Sequence, residues 1–327
     1  MCPHSAGFYF DLPDEDMVVA SAEEGPCAPV LSQVVAGLRE RHEIVDAYVR
    51  HRKSHHYTPL RDLAPLEGQW AFVVRPRKND PSFRLVGIML AKDEADAIPE
   101  VTASLRSHLD ALYYRAGDVA TGEALAEHSP WARSVPGSAL TDGYRQRLLQ
   151  AARADAASDG DPRPMWVMVV QGDEIYHDAL RQHVERAHTE RATVMSCQVA
   201  TFLLHESQRG WDEDAWRRPL AQRLTHYIWD FGEHTGFLDF PWIYYDASEH
   251  MRAHPRNLFP ARWATARPVR KHYPFRSPEQ ARARIEDRLK TGWQPHYENY
   301  KAIFMNGSAA GRMIQTYNGS DFPEAER

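Results

Sequence analysis

Short continuous runs of apolar residues predict β-strands in the first part of the chain. One run covers residues 7–12, and two longer runs, at 69–76 and 83–90, flank the turn sequence Lys-Asn-Asp-Pro at 78–81. Two strand-like runs separated by a turn signal are typical of a β-hairpin. The pattern at 301–317 predicts a second hairpin near the other end of the chain.

Elsewhere the apolar residues recur three and four positions apart, which is the period of an amphipathic helix. In the first half of the chain this pattern predicts helices at 29–52, 98–114 and 141–157. The sequence Ser-Asp-Gly-Asp-Pro-Arg-Pro at 158–164 ends the third of them, because proline and glycine interrupt helices. Further helices are predicted at 173–190, 193–204, 220–232 and 277–289.

These elements predict an α+β protein, in which a mixed sheet comes from hairpins near both ends of the chain and the middle segment is predominantly helical. The sequence at 158–164 predicts a boundary between an N-terminal α+β lobe, 1–157, and a second part, 158–327. That second part contains the helical segment, a basic proline-rich region and the C-terminal hairpin. One compact domain with two lobes is the alternative, since 327 residues suit either arrangement.

The composition is that of a packed globular protein, with 43% hydrophobic and 11% aromatic residues. Its three cysteines, Cys2, Cys27 and Cys197, form no Cys-x-x-Cys pair, which excludes a disulfide framework or a zinc knuckle. We expect Cys197 to be buried and inert. No apolar run approaches the length of a membrane span, and residues 1–13 lack a signal-peptide pattern, so a cytoplasmic protein is expected.

Positive charge is concentrated in one region of an acidic chain. The net charge is −6, yet residues 251–290 contain eleven Arg or Lys and three acids, which gives this interval +8 and the remainder −14. Such segregation favours an anionic partner. Arginines such as Arg267 and Arg270 would bind the carboxylates of a cofactor or of an anionic or amino-acid-like substrate. Docking of RNA or tRNA on the same basic region is the alternative.

Histidines on the predicted helices are candidate iron ligands. On the helix at 173–190, Glu174 with His177 and Glu185 with His188 place a carboxylate and an imidazole three residues apart, a spacing that di-iron bundles use. The alternative is a solvated face of charge pairs, since mixed charge on one helix face is usual at a surface.

Residues at two further predicted helices, together with His183, complete the predicted site. His205 and Glu206 follow the most apolar predicted helix, and His226 and Asp230 share one face of the helix at 220–232. The predicted metal ligands are therefore Glu174, His177, His205, His226 and Asp230. His183 and Glu206 are the predicted catalytic acid–base residues; for His183, a hydrogen bond inside the core is the structural alternative.

Common catalytic motifs are absent: the sequence contains no phosphate-binding glycine loop, no His-Glu-x-x-His and no Gly-x-Ser-x-Gly. The first hypothesis is therefore an oxidoreductase or oxygenase that uses iron, as haem or bound by histidine and carboxylate, on a small polar or aromatic metabolite. An RNA- or tRNA-interacting protein is the second hypothesis. The third is a cofactor-independent transferase or lyase with His/Glu acid–base chemistry.

Overall fold

Helices and mixed sheets occur together in the computed structural model, so the predicted α+β class is confirmed. The structure describes residues 17–20, 42–50, 57–59, 69–76, 82–137, 143–176, 178–204, 210–230, 234–240, 243–245, 255, 263–265, 267–290 and 315–317. No helix within these ranges is long and apolar enough to cross a membrane.

The first sheet is antiparallel and is formed by the N-terminal strands. These are β1 (Met17–Ala20), β2 (His42–Arg50), β3 (Tyr57–Pro59) and β4 (Gln69–Pro76). They are arranged in the order β1-β4-β2-β3.

A six-stranded mixed sheet forms the centre of the protein. Its strands are β5 (Arg84–Ala91), β6 (Ala111–Ala116), β7 (Arg133–Ser134), β8 (Met165–Gln171), β10 (Val194–Ser196) and β13 (His234–Leu238). The order is β10-β13-β8-β5-β6-β7, in which β7, β6, β5 and β8 are mutually parallel and β13 is antiparallel to β8 and β10.

Helices connect the parallel strands. They are α1 (Ile98–Arg106) between β5 and β6, α2 (Val119–His128) between β6 and β7, α3 (Tyr144–Ser158) between β7 and β8, and α4 (Leu180–Thr189) before β10. Nearly every residue of β5 and β8 is buried, as expected for parallel strands that are covered on both faces. Residues Ile98, Val101 and Leu105 form the buried face of α1.

The third sheet has five strands, and the chain enters it directly from the strand β8 of the central sheet. Its strands are β9 (Glu174–Tyr176), β11 (Gln198–Leu203), β12 (His226–Asp230), β14 (Val269–His272) and β15 (Gln315–Thr316), in the order β15-β12-β11-β14-β9. The remaining described helices are α5 (Glu213–Trp216), α6 (Leu220–Arg223) and α7 (Pro278–Lys290). Only Gly172 and Asp173 separate β8 from β9, so the chain passes between the two sheets at that point.

Several predicted helices are strands instead. The segment 193–204 forms β10 and β11, and 220–232 forms only the short helix α6 before it continues as β12. At 173–190 the chain begins as β9, and the helix α4 starts only at Leu180. Short apolar runs do not distinguish a buried strand from a buried helix, and Val194, Val199 and Thr201 are β-branched residues that favour strands.

In the first half of the chain, the predicted helix at 29–52 contains the strand β2, and the predicted helix at 98–114 ends at Arg106 before β6. The runs at 69–76 and 83–90 do form strands, but β4 and β5 belong to different sheets. Residues 7–12 and most of 301–317 lie outside the described residues. The lobe boundary near residue 157 stays a prediction; strands on either side of it, β5 and β8, pair in one sheet.

Two predicted helices are confirmed, at 141–157 as α3 and at 277–289 as α7. The hydroxyl oxygen of Ser277 accepts a hydrogen bond of 3.1 Å from the backbone N–H of Gln280, which makes Ser277 the N-terminal cap of α7. The predicted burial of Cys197 is also confirmed, although it lies between β10 and β11 rather than on a helix.

Burial of Cys197 predicts slow reaction with a thiol reagent. In a Cys2→Ser, Cys27→Ser background, we expect labelling of the folded protein to be at least about 100-fold slower than in denaturant, because the thiol is reached only when the strands open. Absorbance of the released thiolate measures the rate. Labelling as fast in buffer as in denaturant would contradict this packing.

Candidate functional site

The central sheet has a point at which its strand order reverses. The chain leaves β5 for β6 on one side and later returns to place β8 on the other side of β5. In open α/β sheets, ligands bind outside the carboxyl ends of the strands at such a switch point. The structure therefore indicates a site at the loop 92–97, after β5, and at residues 172–173, after β8.

Two buried carboxyl groups face each other across these loops. Asp173 is 1% exposed and Glu94 is 4% exposed. They approach closely because residue 172 is glycine: a Cβ atom there would lie 2.1 Å from Oε2 of Glu94 and 2.7 Å from Cβ of Ala91. The absence of a side chain at Gly172 thus allows the two acidic loops to pack together.

Basic side chains from 267–290 compensate these carboxylates. On α7, Nη1 of Arg284 lies 3.1 Å from Oδ2 of Asp173, and Nη2 of Arg284 lies 3.3 Å from Oε1 of Glu94. The ring atom Nε2 of His272, at the end of β14, lies 3.7 Å from the same Oδ2 of Asp173. One guanidinium therefore bridges both loops, and an imidazole lies beside it.

A fully buried arginine fixes the backbone of the loop after β5. The Nε of Arg276 donates to both carboxylate oxygens of Asp96, at 2.8 and 3.0 Å, and its Nη2 donates to the carbonyl oxygen of Asp93 at 2.7 Å. Asp93 itself has a left-handed backbone, with φ of 59°. Because Arg276 is 1% exposed, these contacts form a rigid support for the site.

A second buried ion pair connects the neighbouring strands β9 and β14 of the five-stranded sheet. Nη1 of Arg270 lies 3.0 Å from Oε1 of Glu174, and the hydroxyl of Tyr176 donates to Oε2 of Glu174 at 2.7 Å. Glu174 lies opposite His272 in the pairing of β9 with β14. The ion pair therefore holds the two strands that place Asp173 and His272 side by side.

The two central carboxyl groups have pKa values that are shifted in opposite directions. Burial and the negative charge of Asp173 raise the pKa of Glu94 well above its usual range. Burial also opposes ionisation of Asp173, but His272, Arg284 and Arg276 outweigh it and hold the pKa of Asp173 below its usual range. The surroundings therefore favour the ionised form of Asp173 and disfavour that of Glu94.

One oxygen of Asp173 has no hydrogen-bond partner. While Oδ2 contacts Arg284 and His272, Oδ1 is buried and makes no hydrogen bond. A buried polar atom without a partner is costly, and a ligand bound there would supply the missing contact. Oδ1 of Asp173 is thus an available carboxylate oxygen, and the imidazole of His272 lies beside the other oxygen of the same carboxylate. A carboxylate and an imidazole are both ligands of divalent cations.

The structure brings together two of the residues that the sequence predicted for the site. Glu174, the predicted metal ligand, and Arg270, the predicted cofactor ligand, form an ion pair with each other. Arg267 is exposed, and His183 is half-buried on α4. His226 and Asp230 lie on the strand β12, so the helical spacing that suggested a shared metal site is not present.

Other predicted residues, His177, His205 and Glu206, lie outside the described residues. Within the part of the chain that the structure describes, no three His, Cys, Asp or Glu side chains are close enough to hold a metal by themselves. The iron and haem assignments, and the catalytic roles of His183 and Glu206, stay predictions.

Sequence reasoning did not identify Glu94, Asp173, His272 and Arg284 as site residues. A usable signal was present, because Asp173 comes two residues after the end of the strand at 165–171, whose first six residues are apolar. The segment 83–91 similarly ends just before Lys92, Asp93 and Glu94. Recognition of both runs as neighbouring parallel strands was the missing step.

Comparisons with known proteins assign no family. No protein-family model and no curated protein matches the sequence. Among solved structures, one similar chain is described as a glucose-1-phosphate thymidylyltransferase from Bacillus anthracis in complex with sucrose, at 14% identity and a TM-score of 0.25. The match covers 38% of this chain and 57% of that chain. At this TM-score the likeness supports no conclusion about fold or function.

Replacement of Gly172 tests the packing of the two acidic loops. We expect Gly172→Ala to lower the free energy of unfolding by about 1–3 kcal/mol, because the added Cβ meets both Glu94 and the backbone-anchored Cβ of Ala91. Denaturant unfolding measures the change.

The matched control is Gly210→Ala, where a Cβ would meet nothing within 4 Å. We expect this variant to differ from the parent by less than about 0.5 kcal/mol. Equal stability of the two variants would show that the loops do not approach as closely as described.

Proposed function

We propose that the protein is a transferase that binds a nucleoside-diphosphate donor, together with a divalent cation, at the carboxyl ends of β5 and β8, and that it transfers a glycosyl group from that donor. The observation that carries the proposal is the ionised Asp173 at the switch point of the sheet, with one buried carboxylate oxygen free of hydrogen bonds. Asp173 and His272 would hold the cation.

The acidic character of the loops favours a cation between the protein and an anionic ligand. Glycine-rich phosphate loops bind phosphate directly through backbone N–H groups, but the loop after β5 is Lys92-Asp93-Glu94. Mg²⁺ and similar ions are bound by one or two carboxylates, while substrate phosphates supply further oxygens. Two protein ligands therefore suffice, which agrees with the lack of a three-residue metal cluster among the described residues.

Charge balance favours a diphosphate over a triphosphate. One divalent cation neutralises the two charges of a diphosphate diester, whereas a triphosphate would bring further negative charge beside Asp93 and Asp173. In the transfer, the bond between the sugar's anomeric carbon and the β-phosphate oxygen breaks, and that carbon bonds to the oxygen of an acceptor hydroxyl group or of water, which loses its proton. The leaving nucleoside diphosphate gains one negative charge. The cation supplies neutralisation of that charge, and the basic side chains around the crevice stabilise it further.

This proposal keeps parts of the earlier hypotheses and changes others. It retains a transferase and a small anionic substrate bound near the arginines of 251–290. Arg270 and Arg276 are at most 5% exposed and are already paired with Glu174 and Asp96, which favours a small ligand over an RNA backbone. No observation on the described residues favours iron.

The test is binding of nucleoside diphosphates with and without Mn²⁺ or Mg²⁺, measured by titration calorimetry. We expect binding of at least one of UDP, GDP, ADP and dTDP, and we expect a chelator to abolish it. Asp173→Asn should weaken the cation-dependent binding at least about tenfold, since it removes the charged ligand. The control Asp178→Asn alters an exposed carboxylate and should bind like the parent protein.

Release of nucleoside diphosphate from the matching nucleotide sugar gives the second measurement. Binding that is independent of both the cation and Asp173 would overturn the proposal, as would the absence of any binding. A Soret band, or stoichiometric iron in the purified protein, would instead support the iron-dependent hypothesis.

A further inference from the structure

Arg284 lies at the centre of the candidate site and differs from the other two buried arginines there. Its guanidinium contacts Asp173 and Glu94, and its Nη1 donates to the carbonyl oxygen of Pro274 at 2.6 Å. The side chain of Arg284 is 20% exposed, against 6% for Arg270 and 1% for Arg276. Arg284 is thus the most accessible of these three to a ligand in the crevice.

A cation bound by Asp173 and His272 would compete with Arg284. Oδ2 of Asp173 is shared by the guanidinium and the imidazole, at 3.1 and 3.7 Å. A divalent ion on the same carboxylate faces the positive charge of Arg284 at short range, and like charges in a poorly solvated site repel strongly. Binding of the cation therefore weakens the hold of Asp173 on the guanidinium.

The released guanidinium is well suited to a phosphate group. Its planar set of N–H donors pairs with two phosphate oxygens at once, which the round ammonium group of lysine cannot do. Because Arg284 already reaches the loops after both β5 and β8, only a small side-chain movement brings it to a diphosphate bound between them. The phosphate then replaces the carboxylate as its partner.

On the basis of the proposed function, we infer that Arg284 is a donor-binding residue that exchanges Asp173 for the diphosphate when the cation binds. The roles of Arg284 toward the two ligands are therefore opposite. It opposes binding of the cation alone, and it strengthens binding of the nucleoside diphosphate once the cation is present. A residue with a merely structural role would affect both ligands in the same direction.

The test measures the two affinities separately in Arg284→Gln. Free Mn²⁺, followed by electron paramagnetic resonance, gives the affinity for Mn²⁺ alone, and calorimetry at saturating Mn²⁺ gives the affinity for the nucleoside diphosphate that binds most tightly to the parent. We expect Arg284→Gln to bind Mn²⁺ about threefold more tightly than the parent or better, because a competing positive charge is gone. The diphosphate should bind at least about tenfold more weakly.

Two further variants make the outcome decisive. Arg284→Lys keeps the positive charge that compensates the two carboxyl groups, but it cannot pair with two phosphate oxygens at once. We therefore expect an unchanged affinity for Mn²⁺ and weaker binding of the diphosphate. Arg282→Ala, an exposed position on the same helix, should change neither affinity. Circular dichroism confirms that each variant is folded.

Weaker binding of both ligands in Arg284→Gln and in Arg284→Lys would overturn the inference and leave the proposed function intact. An unchanged diphosphate affinity in both variants would overturn it as well. Failure of the parent protein to bind Mn²⁺ and nucleoside diphosphates would instead overturn the proposed function itself.

Discussion

Burial of negative charge at the edge of the central sheet is the constraint on which the described architecture depends. Asp173 and Glu174 are each 1% exposed, and an ionised group is tolerated at such a depth only with a charged partner. The partners Arg284 and Arg270 come from a segment about a hundred residues or more later in the chain. The fold of 267–290 against the sheet is therefore coupled to the acidic loops.

This coupling explains the segregated charge of the sequence. The interval 251–290 carries +8, while the remainder of the chain carries −14. In the structure, Arg270, Arg276 and Arg284 are largely shielded from solvent. They form ion pairs with the carboxyl groups of Asp96, Glu94, Asp173 and Glu174. Part of the charge pattern along the chain thus reflects an internal contact of the fold.

Elements were predicted correctly from the sequence where the capping residue and the spacing of apolar residues match the face that is buried in the structure. The helix α7 has a serine cap, and its Ala281 and Ile285 are buried four positions apart, so both its start and its buried face were visible. The segment 193–204 gave no such agreement. All of its residues from Val199 to Leu204 are buried, and a run that is apolar on both faces has neither the period of a helix nor that of a strand.

The candidate site was harder to predict, because its residues are brought together by sheet pairing. Glu94, Asp173 and Arg284 are far apart in sequence and share no motif, and only the parallel pairing of β5 with β8 places the first two side by side. The helical spacing assumed for His226 and Asp230 is wrong, because both residues lie on a strand. Side chains on neighbouring strands meet according to register, which the periodicity within one segment does not contain.

The same charge balance links the stability of the site to the chemistry that it supports. In the described structure the guanidinium of Arg284 offsets the negative charge of Asp173, so this ion pair is balanced without any ligand. A cation and a diphosphate add charges of opposite sign, so the pair can enter together with little change in net buried charge, whereas either one alone would leave charge uncompensated. Under the proposed function, such a site would favour a metal–diphosphate complex over its separate parts, because the desolvation of each ion is offset by the other. The rigid ends of β5, β8 and β14 hold the protein groups in place, which limits the rearrangement to the more exposed side chain of Arg284.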